Sequence, residues 1–369
     1  MIEQIKPTPA EAESLIKGYF KRIAKKIKSA FVPEFPKVTE ELREPTPEQS
    51  IFVDSALAQS LFKVFDPEAS VDVAGQPYRI EYARVDTRED EKKNEDDPYF
   101  INLTGAWGRG PEVESEIMAL AVAMGKDGLS LDATSLPGHG ASDNIPKGWN
   151  VEGDFDFAAD FIAAHIAKIK EAEPKRKIII NCWSMGGVTA LKLAAKYPHL
   201  IDGIILIDTP VFPQNFAKLA LKFLSYEVAK IRSVRKEKPF QLETKLPGLG
   251  IFIKRLRERN KGGIPFDVLL KSGRSLAKQD VIADGTIDTI IQNVQKKDIP
   301  FYMLRGTNDY VVPHELTTKL EQALKAGGVD VQMKTIKSTG HALTAEQPVK
   351  TGELIREWME EKGLVKKAS

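Results

Sequence analysis

Apolar positions follow two different patterns along this chain. Between residues 10 and 31, Ile16, Phe20, Ile23, Ile27 and Phe31 recur every three or four positions, and Lys17, Lys21, Arg22, Lys25, Lys26 and Lys28 fill the opposite face. That period predicts one amphipathic helix with a basic side. Such a helix can lie on an anionic membrane surface, and its apolar stripe can equally dock on the domain or on a second subunit. Pro33, Pro36, Pro45 and Pro47 then break regular structure, so residues 1–50 read as a helix followed by a proline-rich connector.

From about residue 70 the pattern changes to short apolar runs separated by helical stretches. Strands are expected at 78–85, 99–104, 129–133, 177–182, 203–208, 300–305 and 329–335. Several are apolar at nearly every position, as strands buried on both faces must be. Helices are expected near 111–125, 154–170, 185–197, 314–326 and 346–361. Repeated strand–helix alternation predicts an α/β protein with a mostly parallel sheet and helices on both faces. Residues 51–210 and 299–369 would form this core. Between them, residues 211–298 hold several helical pieces punctuated by Pro and Gly, with no clear buried strand, and read as an inserted lid.

Composition narrows the class. The chain has 369 residues, 42% hydrophobic and 28% charged, which excludes a disordered or fibrous protein. Its single cysteine, Cys182, permits no internal disulfide and no cysteine-built zinc site. No apolar run approaches the ~20 residues of a membrane span, and the N-terminus lacks an apolar signal region. A soluble, cytoplasmic protein is the expectation. The net charge of +1 offers no argument for nucleic-acid binding, but it conceals a segregation. Residues 1–31 carry +4 and residues 211–298 carry +9, which leaves −12 on the rest.

In an open parallel sheet the chemistry gathers at the carboxyl ends of the strands. After strand 177–182 comes Cys182-Trp183-Ser184-Met185-Gly186-Gly187, followed directly by a helix. Small residues on either side of Ser184 suit a sharp strand–turn–helix bend that holds a serine in an exposed, strained position. The plainer alternative is a serine capping an ordinary helix. A nucleophilic serine needs a base, and the base needs an orienting acid. Of the five histidines, His165 and His199 fall within or at the end of helices, His314 opens one, and His139 lies in a glycine-rich loop. His341, in Ser338-Thr339-Gly340-His341-Ala342, follows the last strand at the correct edge. Asp309, in the loop after the penultimate strand, is the candidate acid; alternatively it is a turn-forming aspartate. Asp208 also follows a strand, 203–208, but is ranked well below Asp309 because Thr209-Pro210 comes directly after it.

Together these residues resemble the α/β-hydrolase fold family, with the triad order Ser184, Asp309, His341. Leu136-Pro137-Gly138-His139-Gly140-Ala141-Ser142-Asp143 resembles the family's PGxGxS loop, and Thr104-Gly105-Ala106-Trp107-Gly108 resembles its oxyanion-hole loop. The similarity spans about 72–363, with 211–298 in the place of the variable cap. Thr104 stands where the family often has histidine, and Cys182 where the elbow usually has glycine. The resemblance implies an acyl-enzyme on Ser184, with the backbone N–H groups of Met185 and Ala106 receiving the oxyanion. No metal or organic cofactor is implied, and the partner is a small acyl substrate, lipid-like if the lid's apolar stretches line its pocket. An acyltransferase with the same triad and a non-catalytic binding protein on the same fold remain alternatives, and the oligomeric state is open.

Overall fold

The computed structural model describes residues 69–86, 88, 97–105, 114–125, 128–145, 154–213, 276–294, 297–309 and 311–367. The basic helix expected at 10–31, the connector after it, Ala106 and most of the expected lid lie outside the described residues. No helix among the described residues is long and apolar enough to cross a membrane.

Nine strands and seven α-helices are described. A hairpin, β1 (Ser70–Val73) and β2 (Gln76–Arg79), stands apart from a seven-stranded sheet. The sheet comprises β3 (Tyr82–Asp86), β4 (Tyr99–Leu103), β5 (Ser130–Thr134), β6 (Ile178–Trp183), β7 (Gly203–Ile207), β8 (Phe301–Gly306) and β9 (Val331–Ile336). Their spatial order is β3-β5-β4-β6-β7-β8-β9, and all neighbours are parallel except β3 and β5. The helices are α1 (Glu114–Met124), α2 (Asp154–Ala172), α3 (Gly186–Lys196), α4 (Thr286–Val294), α5 (His314–Ala326), α6 (Leu343–Glu346) and α7 (Pro348–Glu361).

Strand alternation divides the core into two layers. Ile178, Ile180 and Cys182 of β6 face one side with Phe161 and Ile162 of α2, Val188 and Leu191 of α3, and Leu320 of α5. Ile179 of β6 and Ile205 of β7 face the other side with Leu120 of α1 and Ile355 and Trp358 of α7. Central strands apolar at every position are thus explained by helices on both faces.

Two expectations change. The strand expected at 78–85 is broken at Ile80-Glu81 into β2 and β3. There the backbone turns outward to other partners: Ile80 N–H donates to the Ala69 carbonyl, Ser135 N–H donates to the Glu81 carbonyl and Glu81 N–H donates to Ser142 Oγ. The hairpin before it closes through Ala74 (φ 53°) and Gly75 (φ 78°), the paired left-handed conformation that suits a two-residue turn. The second change concerns the ends of the stretch 211–298, which pack as core. Val211, Phe212, Leu276, Ala277 and Val281 are buried in the α2–α3 layer, and Val281 N–H donates to the Val211 carbonyl at 3.2 Å. α4 follows, with Ile287 and Ile290 in the same layer, Lys192 on α3 paired to Asp284 at 2.8 Å, and Asn293 bonded to the Ala195 carbonyl. The physical reason is topological: β7 and β8 are parallel neighbours, and a parallel pair needs a crossover, here supplied by α4.

Candidate active site

β6 runs straight into α3 through Ser184 and Met185. Ser184 has φ +52°, a left-handed conformation uncommon for a residue with a side chain, and its N–H donates to the Ile207 carbonyl at 2.8 Å. Ser184 does not cap the helix: the cap position of α3 is Met185, which makes no side-chain capping bond. The glycines that follow are dictated by close approach. A Cβ on Gly186 would sit 2.6 Å from the Leu103 carbonyl oxygen, and one on Gly187 2.1 Å from Thr209 Oγ1. The first contact is with backbone at the centre of the sheet and cannot be relieved by a rotamer change. Gly186→Ala is therefore expected to lower the unfolding free energy by about 1–3 kcal/mol, measured as a lower denaturant midpoint at unchanged slope.

His341, in the loop after β9, reaches back to this turn. His341 Nε2 lies 3.0 Å from Ser184 Oγ and His341 Nδ1 lies 3.0 Å from Asp309 Oδ2. All three residues are buried. The partners assign the tautomer: Nδ1–H donates to the carboxylate and Nε2 accepts the serine proton. Asp309 Oδ1 accepts the Val311 and Val312 N–H groups at 2.8 and 3.0 Å. Burial works to raise the Asp309 carboxyl, but the charge and hydrogen bond of His341 and the Val312 N–H outweigh it and hold the group below the usual carboxylate range.

Three other histidines have different partners. His165 Nε2 bonds to Asp132 Oδ2 at 2.9 Å, His314 Nε2 to the Gly306 carbonyl at 2.8 Å and His139 Nδ1 to the Pro137 carbonyl at 3.1 Å. The loop around His139 is a structural clasp: Ser142 Oγ donates to the Ser135 carbonyl, and Asp143 Oδ2 accepts Arg79 N–H at 2.7 Å. Met185 follows the serine and is buried at the start of α3, where helix N-terminal N–H groups favour negative charge. Ala106, its expected counterpart, lies outside the described residues.

Three neighbours take on their roles only in the fold. The Trp183 indole Nε1–H donates to the His341 carbonyl at 2.7 Å, and a Cβ on Gly105 would lie 2.6 Å from the same ring. Trp183 thus packs between the loop after β4 and the loop carrying the histidine. Glu346 of α6 accepts Gly340 N–H through Oε2 at 2.7 Å, gripping the residue next to His341. Asp208, buried at the end of β7 with φ +46°, accepts Gly306 N–H at 3.2 Å and faces Asp309.

Burial pushes the Glu346 carboxyl up from 4.5 to about 7, more than the Gly340 and Ala342 N–H groups lower it. A folded-state value above the unfolded one means that the contribution to stability is full below about pH 4.5 and is lost as pH rises through about 7. The span corresponds to about 3 kcal/mol. Glu346→Gln removes this dependence, so thermal unfolding should show the variant gaining on the wild type between about pH 5 and pH 8. A constant difference in Tm across that range would contradict it.

Asp208, Asp309 and His341 each place one ligating atom within 4.8 Å of the others, the kind of grouping that could hold a metal ion. Both His341 nitrogens are already engaged, one by Asp309 and one by Ser184. The donor set fits a hydrogen-bonded chain and does not fit a metal site.

A family model described as Hydrolase_4, serine aminopeptidase S33, matches residues 112–348. An esterase of Mycobacterium tuberculosis is 25% identical over 239 residues, covering 64% of this chain and 75% of that protein. A pimeloyl-[acyl-carrier protein] methyl ester esterase of Aromatoleum aromaticum is 33% identical over 124 residues, 32% of this chain and 42% of that protein. Among solved structures, an esterase from Exiguobacterium antarcticum covers 79% of this chain and 99% of its own with a TM-score of 0.53 and 16% identity, a likeness of fold.

Proposed function

The chain belongs to the serine aminopeptidase S33 (Hydrolase_4) family of α/β hydrolases, and from that premise we propose that it hydrolyses a carboxylic ester or thioester through an acyl-enzyme on Ser184. The observation that carries this reading is the unbroken chain from Ser184 Oγ through the His341 ring to Asp309, with both links at 3.0 Å.

In this reading His341 Nε2 takes the hydroxyl proton as Ser184 Oγ attacks the carbonyl carbon. Asp309 keeps the ring in the required tautomer and stabilises the imidazolium. The N–H groups of Met185 and Ala106 receive the oxyanion, each such donor worth about 3–4 kcal/mol of barrier. The imidazolium protonates the leaving alcohol or thiol. Water, deprotonated by His341, then releases the acid and restores Ser184. Burial of the three side chains favours this chemistry, because charges developing in a low-dielectric site interact more strongly with fixed dipoles.

The stretch 211–298, apart from its core-packed ends, is proposed as the lid that selects the acyl group, with its basic residues favouring anionic substrates or lipid surfaces. Ester rather than peptide cleavage is favoured because the two curated relatives reported above are esterases. A panel of p-nitrophenyl esters of increasing chain length, run beside aminoacyl p-nitroanilides, tests the assignment. Turnover confined to esters is expected; turnover of the anilides alone would overturn it.

A further inference from the structure

Asp208 and Asp309 stand at the ends of neighbouring strands, β7 and β8, both buried, with a carboxyl oxygen of each within 4.8 Å of the other. Two buried carboxylates this close repel, which favours the neutral form of one of them. The surrounding donors say which residue that is. Asp309 receives three: the N–H groups of Val311 and Val312 on Oδ1 and His341 Nδ1–H on Oδ2. Among the described residues Asp208 receives one, Gly306 N–H at 3.2 Å on Oδ1, while its buried Oδ2 meets none of their donors. An ionised carboxylate left with a bare buried oxygen is costly, whereas an O–H aimed at the neighbouring carboxylate satisfies both groups.

We infer that Asp208 is a positioning residue of the triad: a neutral carboxylic acid that donates a hydrogen bond to Asp309 and so fixes the carboxylate that orients His341. This rests on the acyl-enzyme reading of Ser184. Other observations agree. Burial first, and then the Asp309 charge, push the Asp208 carboxyl well above the usual range, while the charge and hydrogen bond of His341 keep Asp309 low. Among the described residues, the titratable groups facing Asp208 are Asp309, His341 and Glu346. Gly306, whose N–H holds Asp208, accepts His314 Nε2–H through its carbonyl, and a Cβ there would meet the Thr339 carbonyl oxygen at 2.3 Å. Asp208 therefore faces a rigid crossing of the acid and histidine loops.

A neutral donor and an ionised acid answer substitution differently. Asparagine keeps a neutral N–H donor at the site and tolerates the left-handed backbone, whereas alanine has no donor. Asp208→Ala should lower kcat by about ten- to hundredfold, the worth of one hydrogen bond to a charged group, with KM little changed. Without that donor the Asp309 carboxylate becomes the stronger partner of the imidazolium, so the acid limb of kcat/KM moves to higher pH. Asp208→Asn should recover most of the lost kcat and leave the acid limb where the wild type has it.

The test measures kcat, KM and the acid limb of wild type, Asp208→Asn and Asp208→Ala on one p-nitrophenyl ester, with fluorophosphonate labelling of Ser184 on each. Rescue by asparagine with an unmoved acid limb supports the inference. If Asp208 is instead ionised, asparagine removes a negative charge beside His341, and the acid limb drops by about one unit or more. That result, or a loss in asparagine as deep as in alanine, overturns it. Wild-type protein that neither labels nor turns over overturns the Ser184 reading instead, so the two failures are distinct.

Discussion

Ser184→Ala is expected to lower kcat/KM for an ester substrate by about five to six orders of magnitude, or roughly 7–8 kcal/mol of transition-state stabilisation. The size follows from what the hydroxyl does. In the proposed mechanism it is the attacking atom, and it lies 3.0 Å from His341 Nε2. Its structural contribution is small by comparison. Alanine meets the same left-handed backbone at residue 184, and leaving the imidazole nitrogen without a partner costs about 1–3 kcal/mol at most. Circular dichroism and the thermal midpoint should therefore change little while turnover disappears. Retained turnover would remove Ser184 from the mechanism.

The second large effect is expected at Asp309. Asp309→Asn should reduce kcat by about four orders of magnitude with the fold intact. The local geometry supplies the reason. Oδ1 accepts two backbone N–H groups, from Val311 and Val312, so an asparagine would keep its carbonyl oxygen there and turn its amide nitrogen toward His341. An N–H pointed at Nδ1 forces that nitrogen to accept and moves the ring proton to Nε2, where it blocks deprotonation of Ser184. The loss is one of tautomer rather than of packing. If Asp309→Asn kept nearly full activity, Asp208 would be the acid of the triad, and both the ranking of the two aspartates and the neutral state inferred for Asp208 would fall.

The sheet was legible because its central strands are apolar on both faces, and runs as short as 177–182 and 203–208 have few other readings. That Ser184, Asp309 and His341 would meet was legible for a related reason: residues just after parallel strands gather at one edge, and each of the three follows one. The break between β2 and β3 was not legible. It depends on Ser135 and Ser142, more than fifty residues away, taking the hydrogen bonds of Glu81. The crossover role of α4 was hidden because residues 286–294 follow a long basic, punctuated stretch, and their apolar face makes sense only once β7 and β8 are known to be neighbours. Glu346 carries no local sign of its task, because it acquires one only by folding back on Gly340. Asp208 was visible as an acid after a strand; its pairing with Asp309 exists only in three dimensions.

Covalent labelling with a fluorophosphonate probe, followed by intact mass and peptide mapping, tests the central claim most directly. One adduct per chain is expected, on Ser184, absent from Ser184→Ala and strongly slowed in His341→Ala. Folded protein that takes no label, or takes it on another serine, would contradict it.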